Sequence, residues 1–296
     1  MDIHFPLWGV PILASALLLG FYDLSIKQSV RNNALFPTVL LTTACGSFSF
    51  LVFCLCTGHI MEYAVCTPVD FLLIALKSLL VAASWLCGYY ALRELPISLA
   101  VPIRATAPLW TFIGAVILYH EIPTLWQGIG MAAVFVGYYA FSVLGKMEGI
   151  SFRRHKGIHM IALATLLGAA SGLYDKYLLG VLQIPRGTVQ FWFSVELVII
   201  FAIALLIRRK FFKPGHAFEF RWWIPVTGVL LILSDNLYFL AVGMEGTQIS
   251  VLSLIRRCGC VVGFTAGILF FHDKNGWGKV LALALTLAGV ILLVLA

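Results

Sequence analysis

Ten apolar runs of about twenty residues each, separated by short charged segments, constrain this sequence more than any other feature. A helix needs about twenty apolar residues to cross roughly 30 Å of hydrocarbon. Of the 296 residues, 61% are hydrophobic and 11% are charged, whereas a soluble domain carries about 25% charged residues. The runs lack the alternation of strands, and only helices and closed barrels satisfy their backbone in lipid. The sequence therefore predicts an all-α integral membrane protein.

The runs define ten predicted transmembrane helices. Their expected bounds are Trp8–Ile26, Leu35–Cys56, Phe71–Leu92, Ile97–Tyr119, Leu125–Leu144, Ile158–Leu179, Val189–Ile207, Trp223–Val242, Ser250–Phe271 and Val280–Leu295. We expect the first to remain in the membrane, because Asp2 occupies the place of the basic residues that begin a cleavable signal.

The formal net charge of +7 is distributed in a way that predicts the topology. Almost every lysine and arginine of the loops follows an odd-numbered helix, whereas the other loops and the two termini contain only Arg186. The positive-inside rule then places the odd loops in the cytoplasm and both termini outside the cytoplasmic membrane. Binding of anionic lipid head groups is an alternative use of the basic loops. We expect no nucleic-acid partner.

Two halves of the chain repeat one another in order. Gly20–Asp23 (Gly-Phe-Tyr-Asp) matches Gly172–Asp175 (Gly-Leu-Tyr-Asp) at an offset of 152 residues (172 − 20). The same offset relates Ile103-Arg104 to Ile255-Arg256 and His120-Glu121 to His272-Asp273. Ser84 matches Ser234 at an offset of 150 residues (234 − 84). A series of matches in one order indicates an internal duplication rather than chance.

The duplication predicts two five-helix repeats, residues 1–145 and 157–296. Because five is odd, the second repeat must enter the membrane in the opposite sense to the first. Inverted repeats are characteristic of secondary transporters, whose substrate site lies at the repeat interface near the middle of the bilayer.

The third to fifth predicted helices carry a pattern typical of a known family. It comprises Tyr89-Tyr90-Ala91-Leu92, Pro96, Val101-Pro102-Ile103, Pro108, Glu121, Gln127-Gly128-Ile129-Gly130 and Gly137. This pattern resembles the EamA type of the drug/metabolite transporter (DMT) superfamily. The resemblance implies a ten-helix transporter but no particular substrate, because members carry amino acids, nucleobases, sugars and drugs. Family analogy often places the termini inside, in conflict with the loop charges here.

Ionisable residues inside the apolar runs are the candidate binding or coupling residues. Each costs roughly 2.5–3.5 kcal/mol on insertion, so such residues usually face a cavity or a partner. The candidates are Tyr22, Asp23, Arg104, Tyr174, Asp175, Asp235, Asn236, Arg256 and Arg257. Asp23 and Asp175 can alternatively anchor helix ends. Asp235 lies near the middle of its span, which suits a ligand or proton site. Lys77 and Glu196 have no repeat partners and are not assigned to the site.

The arginines have two interpretations. Arg104 lies between Pro102 and Pro108, which bend a helix, and Arg256 and Arg257 occupy the equivalent place in the second repeat. Three guanidiniums near the pseudo-axis would bind a carboxylate or phosphate by forked hydrogen bonds. The alternative is a structural lock in which the arginines pair with Asp23, Asp175 or Asp235.

Catalytic motifs are scarce, so we do not expect an enzyme. The sequence has no phosphate-binding loop of the type that drives ATP-dependent pumps. We expect no cofactor or metal ion. The predicted function is secondary transport of an amino-acid-like, anionic or zwitterionic metabolite by alternating access. A channel, a lipid scramblase and an assembly subunit remain as alternatives. Protons or an exchanged metabolite are possible partners, and the chain is expected to be a monomer or homodimer.

Overall fold

The structure, a computed structural model, describes residues 6–94, 103–104, 106–120, 122–145, 155–211, 216–259, 262 and 276–295. The described residues form helices and connections, with no strand among them. The helices are α1 (Gly9–Val30), α2 (Leu35–Thr57), α3 (Ile60–Ala64), α4 (Pro68–Glu94), α5 (Ala107–Tyr119), α6 (Leu125–Gly145), α7 (Lys156–Lys176), α8 (Arg186–Phe211), α9 (Trp223–Val242), α10 (Ile249–Arg257) and α11 (Gly276–Leu295). A π-helical turn, Tyr177–Val181, extends α7.

Each of the ten predicted spans overlaps one of these helices, and for α9 both bounds coincide. Within the described residues, six helices are long and apolar enough to cross a membrane: α1, α2, α4, α7 with its π-helical turn, α8 and α9. The short helix α3 was not expected. It follows Gly58, which ends α2 with φ +73°, a left-handed conformation that glycine adopts without steric cost.

The fourth and ninth predicted spans differ from one continuous helix near their arginines. Helix α5 begins at Ala107 with Pro108 in its first turn, and Arg104 belongs to a short helical stretch before it. Proline has no backbone N–H and fits the first turn of a helix, so the new helix begins where Pro108 permits it. Helix α10 ends at Arg257, and Cys258–Gly259 form a turn. Arg104 and Arg256 thus both lie beside an end of a helix.

Apolar side chains cover much of the outside, and charged side chains lie inside. Phe48 and Ile117 are each 66% exposed, whereas Lys77 is 2% and Asp175 is 4% exposed. This distribution is the reverse of that in a soluble protein and suits a helical bundle in lipid, where ionisable groups face the interior. It places the charged groups where the helices meet.

The principal helix contacts occur in corresponding pairs across the two halves. The contact of α1 with α9 corresponds to that of α7 with α4. The contact of α2 with α9 corresponds to that of α8 with α4, and α6 packs against α11. Ser234 Oγ donates to the carbonyl oxygen of Ser15 at 2.9 Å, and Ser84 Oγ donates to that of Ala164 at 2.7 Å. Serines that match in sequence thus join corresponding pairs of helices.

Glycine allows a close contact between α2 and α9. A Cβ atom at Gly228 would lie 2.2 Å from the carbonyl oxygen of Thr42, and one at Gly46 would lie 2.7 Å from that of Gly228. Small residues let helix backbones approach closely in lipid, where packing replaces the hydrophobic effect. The contact between α2 and α9 therefore depends on both glycines.

Candidate functional site

A cavity of about 170 Å³ lies between α1, α4, α5, α7, α8, α9 and α10. Its wall contains charged groups and the aromatic side chains of Tyr22, Trp85, Tyr89, Phe193, Tyr238 and Phe239. Smaller residues of α7, including Gly168 and Gly172, complete the wall. Both halves of the chain thus contribute to one polar cavity.

Three ion pairs lie in or beside this cavity. Lys77 pairs with Asp175, and the two side chains are 3% and 5% exposed. Arg256 pairs with Asp235. Arg104 Nη1 donates to Asp23 Oδ1 at 3.3 Å, and this pair is the most exposed, at 27% and 37%. Three cations and three carboxylates make the set electrically neutral, which reduces the cost of burying it.

Aromatic rings cover two of the three cations. The ammonium of Lys77 lies 4.4 Å from the ring centre of Phe193 and 4.8 Å from that of Phe239. The guanidinium carbon of Arg256 lies 4.1 Å from the ring centre of Tyr238. The negative face of an aromatic ring attracts a cation, so these rings help to fix the positions of both charges.

Arg256 has hydrogen-bonding capacity left over. Its Nη2 donates to Asp235 Oδ1, and its buried Nε has no partner. A guanidinium presents several N–H donors in one plane and can hold two acceptors. Arg256 is therefore suited to hold Asp235 and an anionic group of a ligand together.

In the first half, the polar side chains of the wall make longer hydrogen bonds. The hydroxyl oxygens of Tyr22 and Tyr89 lie 3.5 Å apart, and both residues line the cavity beside Arg104. Asp23 pairs with Arg104 but does not line the cavity. The first half thus contributes two phenol hydroxyls and one partly exposed guanidinium to the cavity wall.

The structure brings together five of the nine candidate residues in the cavity wall: Tyr22, Arg104, Asp175, Asp235 and Arg256. Tyr174 and Asn236 do not line it; the ring of Tyr174 stacks on Tyr177 with centres 5.9 Å apart. The side chain of Arg257 lies outside the described part of the chain, as do Glu121, His272 and Asp273.

Sequence reasoning left Lys77 out of the candidate site. Lys77 had no counterpart in the second repeat, so the repeat pattern did not select it. Its position in the middle of a long apolar run was the signal that could have identified it, because a lysine there requires a partner or a cavity. Trp85, whose ring stacks on Phe201 with centres 6.1 Å apart, was likewise absent from the candidates although it lines the cavity.

Comparisons with known proteins agree with this fold. The model of the EamA-like transporter family matches residues 7–143. A crystal structure with 16% sequence identity superposes on the chain with a TM-score of 0.76, covering 97% of this chain and 98% of that one. No curated protein is significantly similar in sequence. The chain's apolar helices indicate a multi-pass membrane protein, and residues 7–143 are similar to the EamA-like transporter family, consistent with the drug/metabolite transporter superfamily.

Proposed function

We propose that the chain is a secondary transporter of small zwitterionic metabolites, such as neutral amino acids, which bind in the cavity between the two halves. The balanced charge of the cavity is the observation that carries this proposal. Lys77 and Arg256 are balanced by Asp175 and Asp235 in the wall, and Arg104 is balanced by Asp23 from outside the wall. A ligand with one positive and one negative group can exchange partners with them without adding net charge to the membrane interior.

The two ends of a zwitterion have distinct partners in the wall. A ligand carboxylate suits the guanidinium of Arg256, which lines the cavity, because a charge-assisted hydrogen bond is stronger than a neutral one. A ligand ammonium suits Asp235 or Asp175, each of which already accepts from a cation. The aromatic side chains around them suit an apolar substituent.

The volume of the cavity limits the size of the substrate. A cavity of about 150 Å³ holds a molecule as large as benzene, and the cavity here measures about 170 Å³. This favours a single small metabolite over a drug-sized compound, whose pockets measure roughly 300–1,000 Å³.

Alternating access by two inverted five-helix repeats, residues 1–145 and 157–296, is the mechanism we propose. The corresponding helix contacts and the matched serine hydrogen bonds support it. In such transporters one repeat rocks against the other around a fixed central site. We further propose that the chain lies in the cytoplasmic membrane with both termini outside, as its loop charges predict.

A thermal-stability screen of the purified protein tests the proposed substrate class. A ligand that binds the folded state raises its apparent stability in proportion to the logarithm of ligand concentration. Neutral amino acids should raise the melting temperature of the wild-type protein, and raise it less in Arg256→Lys. Stabilisation by purely cationic compounds, equal in the wild type and in Arg256→Lys, would exclude a zwitterion site at Arg256.

A further inference from the structure

Glu196, on α8, is a buried carboxyl group that the substrate cavity does not use. It is 5% exposed and is absent from the cavity wall. Its Oε2 accepts a hydrogen bond from Ser78 Oγ at 2.6 Å, and its buried Oε1 has no partner. We propose that Glu196 binds and releases the proton that drives transport and communicates with the cavity through Lys77. This inference rests on the proposed transport function.

The surroundings of Glu196 favour proton exchange. No lysine or arginine of the described chain forms an ion pair with it. An ionised carboxylate buried without a cation is costly, and such a group becomes neutral by taking up a proton. Ser78 can donate to Oε2 in both states, so the proton is gained and lost at Oε1.

Lys77 connects Glu196 with the cavity. It precedes Ser78 on α4, and its ammonium lies over Phe193, which is one helical turn before Glu196 on α8. In the present structure that ammonium pairs with Asp175. When Glu196 loses its proton, the new negative charge attracts Lys77 away from Asp175, which becomes available to a substrate ammonium. Protonation of Glu196 restores the pair of Lys77 with Asp175.

Other titratable groups lie on the elements packed against α8. They are Cys45, Cys54 and Cys56 of α2, Glu62 and Tyr63 of α3, Asp70 and Lys77 in the part of α4 that reaches Ser78, and Asp235 and Tyr238 of α9, with Cys66 in the connection before α4. Lys77 is the cation among them. Cys66 is close enough for the charge of Glu196 to act on its thiol, which places the carboxyl toward the connection between α3 and α4.

Buried polar atoms without a partner precede Glu196 on α8. The amide oxygen and nitrogen of Gln190 and the Nε1 of Trp192 are buried without a protein partner. Both residues lie on α8 between its first residue, Arg186, and Glu196. Buried polar groups of this kind usually hydrogen-bond to water. Water held by these groups would provide the steps along which a proton can reach Oε1.

Infrared difference spectroscopy of the purified full-length protein tests proton binding without a substrate. A protonated carboxyl has a C=O stretching band that disappears on ionisation. When the pH is raised from acidic to alkaline, we expect this band to disappear in the wild type and in Glu62→Gln, which is the control at an exposed carboxylate of α3. The band should be missing from the difference spectrum of Glu196→Gln. Ser78→Ala retains the carboxyl and should change the pH midpoint of the band. A wild-type spectrum in which Glu196→Gln removes no band would overturn the inference.

Transport in proteoliposomes separates this inference from the proposed function. With a labelled mixture of neutral amino acids, Glu196→Gln should retain exchange but lose uptake driven by a proton gradient, to the level of protein-free liposomes. If wild type and Glu196→Gln respond equally to the gradient, the proton site is wrong and the transport function stands. If neither protein transports or exchanges the mixture while the infrared band titrates, the proposed substrate fails and proton binding by Glu196 stands.

Discussion

The two halves place matching residues around one cavity but pair them differently. In the first half, Arg104 reaches Asp23 at 3.3 Å, and the pair is 27% and 37% exposed. In the second half, the repeat equivalents Arg256 and Asp175 do not pair with each other: Arg256 holds Asp235, and Asp175 holds Lys77. The partners that differ, Asp235 and Lys77, each occur in one half without a counterpart in the other.

The two halves match in sequence but differ in the charged residues that each contributes. The offset of 150 residues that relates Ser84 to Ser234 (234 − 84) places Trp85 opposite Asp235 and Thr227 opposite Lys77. One acidic and one basic addition, in different halves, therefore replace one simple ion pair with two, of which Lys77–Asp175 is buried and Arg256–Asp235 is partly buried. The ion pair within the first half, Arg104 with Asp23, is the most exposed of the three.

The largest expected difference between the halves is in stability. Lys77→Met leaves Asp175 buried without its cation and should lower the free energy of unfolding by about 3–5 kcal/mol. Arg104→Met removes a partly exposed pair and should cost about 1 kcal/mol or less. Reversible unfolding in mixed micelles measures both. Replacing both partners, in Lys77→Met with Asp175→Leu, should recover most of the loss, and equal costs at Lys77 and Arg104 would contradict the distinction between the halves.

A second difference concerns two glycines that correspond in the repeats. A Cβ atom at Gly20 would lie 2.2 Å from the carbonyl oxygen of Gly259, whereas one at Gly172 would meet its nearest atom, the Tyr238 hydroxyl, at 3.6 Å. Gly20→Ala should therefore destabilise the protein by about 1–3 kcal/mol through overpacking. Gly172→Ala serves as the matched control and should have little effect on the melting temperature. A larger loss in Gly172→Ala would show that the α1 contact is not the tighter one.

The two arginines are expected to differ in their effect on affinity. Arg256→Lys keeps the charge but loses the planar set of donors, so it should weaken substrate binding about tenfold, equivalent to about 1.4 kcal/mol. Arg104→Lys should have a smaller effect, because that side chain is already partly solvated. Titration of neutral amino acids by thermal shift compares them. Lower stability with unchanged affinity in both variants would leave the arginines as structural locks alone.

The smallest expected effect is on the reactivity of the Cys66 thiol. Cys66 lies in a connection of the first half, and a charge of the second half influences its pKa. Burial, followed by the charges of Asp70 and Glu196, raises the pKa of the Cys66 thiol. Because the thiolate is the reactive form, labelling by maleimide should be slow at neutral pH and accelerate as the pH rises. Asp70→Asn should lower this pKa and speed the labelling, and Glu196→Gln should do so less.

A protein that retains Cys66 as its single cysteine is suited to this measurement, with Glu62→Gln as the control. An impermeant maleimide added to intact cells also tests the predicted external position of Cys66. Labelling only after permeabilisation would reverse the proposed orientation. A labelling rate that Asp70→Asn leaves unchanged would contradict the electrostatic cause of the pKa shift.

The sequence predicted helix positions better than it predicted partners. Apolar runs are long and local, so the bounds of α9 and the position of Asp235 within it followed from the sequence. The pairing of Arg256 with Asp235 rather than Asp175 depends on how α9 and α10 meet, which no local pattern contains. Lys77 was considered but not assigned to the site, because the repeat comparison selects residues that the two halves share and Lys77 has no counterpart. The sequence did suggest that the arginines and aspartates form ion pairs, but it did not suggest that Lys77 takes part in them.

Counterflow in proteoliposomes is the most direct test of a zwitterion carrier with its site between the halves. Vesicles that contain the purified protein are loaded with an unlabelled neutral amino acid and diluted into a trace of the same labelled compound. We expect transient, saturable and stereoselective accumulation of the label, absent from protein-free vesicles and strongly reduced in Asp235→Asn. Non-saturable entry without accumulation would indicate a channel or a leak, and counterflow of purely cationic compounds that Asp235→Asn and Arg256→Lys leave unchanged would contradict the proposed site.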